Sequence, residues 1–463
     1  MSGPGRVDIA EVVENQLTGF EIKDWIWFPA RFVFLTFLLC CLVMLADGFD
    51  NQAINYAAPA IIREFGIERA LMTPVFNVSI IGWMTGSVVF SMLADRIGRR
   101  PSILIAVGLF GLFTLLIPVA TNLWELGALR FCAAFGVGGA MPMAIALIAD
   151  YAKSTSRGLL ITLLYLGYTS GSAGGGVVAA AMIPDFGWRS VFYLGGIGAL
   201  AVTAVLLFAL PESIRYLSLK RSNDPRILTY ARRMRPAAEY GAGTQFVVQE
   251  PARKGVPLTH LFTEGRSPMT IALWLALGLS FITHFFLSQW LTTLMTDEIG
   301  FENAAHTQAW FQLGAAFAFI FGYLIDKRGI PVMTIAMILG AAPVVALGFV
   351  PQVGVGLTMM MALSSGILVL GGNIGLNAIS SMIYPTFIRS TATGAAFAVA
   401  RIGAIIGPAF AGYLIYLDTP LDVIFILGGL PMLAAGVACF FLDRTITPDA
   451  AREMASRSAL ARH

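Results

Sequence analysis

Apolar stretches long enough to cross a bilayer recur about a dozen times along this chain, and almost no charge interrupts them. They run over 32–62, 73–94, 101–121, 123–149, 158–183, 188–210, 268–296, 307–325, 331–350, 353–384, 391–417 and 420–442. About 20 apolar residues in a helix cross the hydrocarbon core, so each stretch reads as a transmembrane helix. With 57% hydrophobic and 12% charged residues, the chain lacks the surface that a soluble protein of its length needs. The 48 glycines suit close helix packing in lipid. The expected fold is an all-α polytopic membrane protein with 12 transmembrane helices.

Charge placement gives the expected orientation. With the N-terminus inside, the tails and even-numbered loops hold 25 of the 30 Lys and Arg residues. The opposite side holds only Arg63, Arg69 and Arg189. The asymmetry sets both termini in the cytoplasm. Arg130 and Arg401 remain, and both fall inside spans. Cys40, Cys41, Cys132 and Cys439 also fall inside spans and read as small hydrophobes, not as disulfides or metal ligands. The polar, acidic opening MSGPGRVDIAEVVENQLTGF has no cleavage pattern, so span one is expected to be retained.

Between Pro211 and Ser267 the hydrophobicity falls, which divides the spans six and six. The expected organisation is a tail (1–31), a first six-helix half (32–211), a central loop (212–267), a second half (268–442) and a tail (443–463). A repeat crosses that divide. SMLADRIGRRP (91–101) aligns with GYLIDKRGIPV (322–332), placing Asp95 on Asp326, Arg96 on Lys327 and Gly98 on Gly329. A weaker match joins GSAGGG (171–176) to GAIIGPAFAG (403–412). Two pseudo-symmetric halves with matched loops suit a rocking transporter whose substrate site lies between them near the midplane.

Charges at membrane depth cost at least ~2.5–3.5 kcal/mol on insertion scales, so each needs a reason. Asp47 and Asp50, in LADGFDNQAINY, lie near the middle of span one at i and i+3, on one helix face. Two close carboxylates resist being ionised together, so the pair reads as a proton site; a structural, hydrogen-bonded pair is the plainer alternative. Arg130 in span four is either their counter-ion or a substrate anchor. Arg401 in span eleven is favoured as the anchor, because its half lacks a matching intramembrane acid and a guanidinium captures carboxylates bidentately. His284, alone among the histidines, sits in an apolar span. With Phe49, Tyr56, Trp290, Asn373 and Asn377 it is a candidate for the cavity wall, where rings stack and amides hydrogen-bond a flat substrate.

Over nearly all its length the chain resembles a major facilitator superfamily transporter, and SMLADRIGRR after span two is similar to that superfamily's loop motif. DGFD in span one, LRF…GVGGAMP in span four, PES after span six and RIGAIIGP in span eleven are together similar to the aromatic acid:proton symporter family. That resemblance implies import of benzoate-type, hydroxylated or methoxylated aromatic acids across a bacterial inner membrane, with Asp47, Asp50 and Arg130 in coupling. It also implies that Asp95, Arg130, Asp326 and Arg401 are functionally important, with Asp95 an electrostatic latch in the cytoplasmic gate; Arg96, Arg99, Arg100, Asp150 and Asp326 are the other candidate gating residues. The chain departs from the family at Ser91 (usually glycine), Asp150 (glutamate), Met143 (asparagine) and Thr292 (proline).

The expected mechanism is proton-coupled uptake by alternating access, driven by the proton gradient without a cofactor. The expected partners are an aromatic carboxylate, a proton and the bilayer, with no nucleic acid and the chain acting as a monomer. Three rivals stand beside this reading. An exporting antiporter often has a glycine-proline motif in span five, where this chain has Ser172. A symporter for other carboxylates is opposed by DGFD. A membrane enzyme is opposed by the lack of a metal-spaced His/Cys cluster, a Ser/His/Asp set or a phosphate loop.

Overall fold

The computed structural model describes residues 6–15, 18–22, 26–29, 31–235, 238, 240, 244–247, 258–384 and 388–446; the side chains of residues 6, 18–22, 26–29, 154, 155, 245, 326, 381 and 390 lie outside that description. Among the described residues, ten helices are long and apolar enough to cross a membrane. Two more complete the set of twelve. Ser154–Phe186 has a run of glycines and hydroxyl side chains that lowers its hydropathy, and Pro331–Ala346 is 16 residues long.

In chain order the spans are Arg31–Phe65 (one), Thr73–Ile97 (two), Arg99–Leu116 (three), Leu123–Tyr151 (four), Ser154–Phe186 (five) and Arg189–Ala209 (six). Then follow Ser267–Ile299 (seven), Phe301–Leu313 with Phe319–Arg328 (eight), Pro331–Ala346 (nine), Val355–Met382 (ten), Arg389–Tyr416 (eleven) and Leu421–Arg444 (twelve). Span eight is interrupted by a 3-10 stretch, Gly314–Ala318, where Gly314 lies backbone to backbone against Gly366 of span ten.

Glycine sets the pairings within each half. A Cβ on Gly48 would collide with the Tyr168 carbonyl, and one on Gly171 with the Leu45 carbonyl, so spans one and five touch along their backbones. Gly86 against Phe135 and Gly138 against Trp83 do the same for spans two and four. In the second half Gly403 meets the Gly278 carbonyl, joining spans eleven and seven, and Gly366 meets the Phe311 carbonyl, joining ten and eight. Adding six to each span number of the first set gives the second, so both halves use one packing plan. The matched turns agree: Gly98 ends span two at φ 106° and Gly329 ends span eight at φ 72°, conformations that favour glycine.

The halves join towards the face away from both chain ends, here called the outer face. There Arg69 pairs with Asp297, Phe76 packs edge-on against Trp290 at 5.2 Å, and Gly176 of span five meets Ala305 and Ala309 of span eight. At the face carrying the tails, three short helices form where the sequence reading assigned none: Ile9–Glu14, Ile214–Lys220 and Pro225–Met234. Ile227, Ala231 and Met234 repeat at helical spacing on the buried side of the last. A strand, Arg6–Asp8, pairs in parallel with Gln245–Val247, and Thr18–Ile22 pairs antiparallel with Ile26–Pro29.

Candidate functional site

The DGFD pair lies in the buried interior of span one, but its two carboxyls meet different surroundings. Asp50 accepts a hydrogen bond from the Thr114 hydroxyl of span three, and Arg130 of span four donates to it at 3.4 Å. Arg130 also donates to the Asp50 backbone carbonyl at 3.4 Å. Both side chains are buried, at 1% and 2% exposure, so this is a pair sealed from solvent. Asp47 is as deeply buried, and neither of its carboxyl oxygens has a hydrogen-bond partner. Gly48 explains why the acids sit so deep: with no Cβ, it lets span five close onto span one, bringing Tyr168 and Ser172 against this turn. Arg130 thus takes the counter-ion place anticipated for it, towards Asp50 and not Asp47.

Two cavities reach span one near the acids, the larger at Gln52 and the smaller at Asp50. The larger, about 520 Å³, lies between the halves and runs from Gln52 and Tyr168 at mid-depth towards the tail face. His284, Asn373 and Asn377 are on its wall, as expected from the sequence, with Gln312 and Phe281. Asn373 accepts from the Ser280 hydroxyl and its amide nitrogen lies 3.3 Å from His284 Nδ1. None of its described lining residues is Asp, Glu, Lys or Arg. The smaller cavity, about 30 Å³, touches Asp50, Asn51, Ser79, Trp83, Arg130, Phe285 and Gln289.

Three expected wall residues lie elsewhere. Phe49 packs against Gly175 and Gly195, because glycines in spans five and six leave room for its ring there. Tyr56 is fully buried and donates to the Ser172 carbonyl at 2.8 Å. Trp290 is fully buried in the outer seam, its indole N–H donating to the Pro408 carbonyl at 3.1 Å. Arg401 does not line the larger cavity either. Its guanidinium stacks on Trp83 of the other half, 3.9 Å from the ring centroid, and its Nη1 is buried without a hydrogen-bond partner.

At the tail face the basic loop folds around a residue known in the sequence only as part of PES. Glu212 Oε1 accepts from the backbone N–H groups of Arg99 (2.9 Å), Arg100 (3.1 Å) and Ser213 (2.8 Å). Two of these are first-turn donors of span three that have no partner inside the helix. Asp150 pairs with Arg99 and accepts from Ser213, and Tyr151 donates to the Glu212 carbonyl. Arg100 donates to the Leu207 carbonyl, and the Arg96 carbonyl accepts from Tyr216 at 2.9 Å. Asp95 is exposed and has no ion pair among the described residues, in a structure whose cavity opens towards the tail face. The side chain of Asp326 lies outside the described residues.

Sequence reasoning passed over Gln289, Trp83 and Glu212. Gln289 was open to the test applied to the acids, since an amide in an apolar span also needs a partner. Trp83 gave no such signal.

A family model described as Major Facilitator Superfamily matches residues 40–376 and, overlapping these, 307–462. The chain is 34% identical to a gallate transporter of Pseudomonas putida over 90% of its own length and 94% of the relative's. It is also 34% identical to the 4-hydroxybenzoate transporter PcaK of Pseudomonas aeruginosa, over 80% and 83%. Among solved structures it resembles a D-xylose-proton symporter at TM-score 0.67 and 17% identity, covering 91% of this chain and 99% of that one, a likeness of fold alone.

Proposed function

Since this chain belongs to the Major Facilitator Superfamily of transporters, and is not an enzyme, we propose that it is a proton-coupled symporter importing an aromatic carboxylate across a bacterial inner membrane by alternating access. The observation that carries the proposal is the unequal acid pair in span one. Asp50 is held by Thr114 and Arg130, whereas Asp47 has neither cation nor donor to support a charge. Asp47 is therefore the group that loads and releases the proton, and Asp50 with Arg130 is the fixed pair that feels it. The gallate and 4-hydroxybenzoate carriers among its relatives support an aromatic acid as the cargo.

The ring lies in the 520 Å³ cavity, between apolar walls and the neutral polar groups of His284, Asn373 and Asn377. Its carboxylate goes to Arg401, which must leave Trp83 to reach the cavity, because Arg130 is already committed to Asp50 while Arg401 Nη1 is unpartnered. The outer seam through Arg69 and Asp297 is closed in this structure, so the cavity faces the tails. Placing the tails in the cytoplasm, as the basic residues favour, makes this the releasing state. Both chain ends lie inside and the chain works as a monomer, with the proton gradient as its driving force.

The test is uptake of labelled benzoate, 4-hydroxybenzoate, protocatechuate, gallate and vanillate into proteoliposomes under an inward proton gradient, with and without a protonophore. Accumulation of an acid that collapses with the protonophore, and that Asp47→Asn abolishes at unchanged membrane level, is the expected result. Efflux of preloaded compounds against the gradient, with no acid entering, overturns it in favour of an exporter.

A further inference from the structure

The small cavity beside Asp50 joins groups from both halves. Spans one, two and four supply Asp50, Asn51, Ser79, Trp83 and Arg130, and span seven supplies Gln289. Two polar atoms of these residues are buried without a hydrogen-bond partner, and they are complementary: Arg130 Nε is a donor and Gln289 Oε1 an acceptor. Gln289 is 6% exposed, so its amide oxygen cannot turn to solvent for relief. Leaving both unpaired is costly, more so for the charged group. A volume of about 30 Å³ suits one water molecule. Ser79, whose hydroxyl proton is given to the Val75 carbonyl, retains lone pairs that can accept from it.

We propose that this slot is a single-water site in which the water accepts from Arg130 Nε and donates to Gln289 Oε1, making Gln289 the residue that links the charge pair of the first half to span seven of the second. The inference rests on the proton-coupled reading above and adds a positioning residue to it. When Asp47 gains or loses its proton, the pull of Asp50 on Arg130 changes, and the guanidinium passes that change through the water to a helix of the other half. A two-state rearrangement needs such an element, one whose contacts differ with the charge on one side. The titratable and charged groups around the slot are Asp47 and Asp50 of span one, Arg130 of span four, His284 of span seven, Tyr168 of span five, and Arg401 of span eleven stacked on Trp83.

The experiment compares wild type, Gln289→Met and Gln289→Ser in proteoliposomes, reading proton-driven accumulation across external pH and, separately, substrate counterflow, which needs no gradient. Gln289→Met keeps the length of the side chain and removes the acceptor. It is expected to lower accumulation about fivefold, the factor carried by one neutral hydrogen bond, and to displace the pH profile while counterflow persists. Gln289→Ser leaves room for a second water and is expected to recover part of the coupling. If wild type is proton-coupled and Gln289→Met matches it in accumulation and pH profile, the water link is overturned. If Gln289→Met loses counterflow as well, and Gln289→Ser with it, Gln289 is a packing residue and the link is equally overturned. A wild type that accumulates no acid in a protonophore-sensitive way brings down the coupling reading itself.

Discussion

Replacing Glu212 by alanine removes the acceptor of three backbone N–H groups at once. The carboxyl is 4% exposed, and its Oε1 lies 2.9, 3.1 and 2.8 Å from the amide nitrogens of Arg99, Arg100 and Ser213. Each buried donor left unpaired costs about 1–3 kcal/mol. Water entering at the tail face restores part of this, so the expected loss is on the order of 3–5 kcal/mol. For a cooperative unit of about 200 residues, ~2 °C of melting temperature accompanies each kcal/mol. The purified protein in detergent should therefore melt roughly 6–10 °C lower, read by intrinsic tryptophan fluorescence. Glu212→Gln keeps an acceptor without its charge and should lose about 1 kcal/mol. Gly98 supplies the internal check. A Cβ there would strike Glu212 Oε2, and its φ of 106° is unfavourable for any side chain. Gly98→Ala and Glu212→Ala should consequently combine to less than the sum of their effects, since removing the carboxyl relieves the collision and leaves only the backbone strain. A Glu212→Ala protein melting within 1 °C of wild type on the ~2 °C scale used above, or strict additivity of the two, would show that the cluster is not what holds span three to the PES turn.

Three further outcomes are expected. Gly48→Ala should part spans one and five and lower both membrane yield and thermostability by well over the ~1–3 kcal/mol typical of overpacking, because the collision is with backbone; Gly174→Ala, with nothing within 4 Å of its Cβ, should leave both unchanged. Trp83→Leu removes a stacked, partly desolvated partner of Arg401, worth about 1–2 kcal/mol; with Arg401 as carboxylate anchor, binding of the transported acid to the purified protein should tighten by about 5- to 30-fold, and weaker binding would refute the competition. Asp224 caps the helix Pro225–Met234 and is held below the usual carboxylate range by hydrogen bonds from the Arg226 side chain. A depressed value means the cap contributes at every pH above the unfolded carboxyl's and fades only as the pH falls through the lower folded value, so amide exchange in that helix should quicken only in strong acid, and Asp224→Asn should abolish the acid dependence.

The spans were legible because lipid imposes one rule along the whole length of a helix: every backbone group satisfied inside, every outward side chain apolar. The two-half plan showed in matched turns because Gly98 and Gly329 serve one backbone need, a positive φ at the end of a span. The weaker match of GSAGGG to GAIIGPAFAG has the same kind of cause, since Gly171 and Gly403 each admit the backbone of the partner helix. Side-chain direction was not legible. Phe49, Tyr56 and Trp290 were judged by type and span, but a ring's place depends on where the neighbouring spans carry glycine, as at Gly175 and Gly195 beside Phe49. Arg401 reads as an anchor from its charge and the lack of an acid in its half, and nothing in its own span reveals that Trp83 of span two comes to lie beneath it.

The distribution of charge between the halves bears on how they could be coupled. Among the described residues the buried acids of the site, Asp47 and Asp50, and the cation Arg130 that pairs with Asp50 all belong to the first half. From the second half the larger cavity takes neutral amides, an imidazole and apolar groups, and Arg401 of that half is turned onto an indole of the first. A proton arriving at span one therefore changes the electrostatics of one half directly, and the other half can respond only through contacts that cross the seam at the same depth. The geometry offers two such contacts, the Trp83–Arg401 stack and the slot shared by Arg130 and Gln289. Both involve span two or span four on one side, helices whose mutual packing at Gly86 and Gly138 is too tight to absorb a displacement. A change in Arg130 or Trp83 is thus more readily taken up by movement of the opposite half than by rearrangement within its own, which is what a carrier that rocks as two rigid bodies requires.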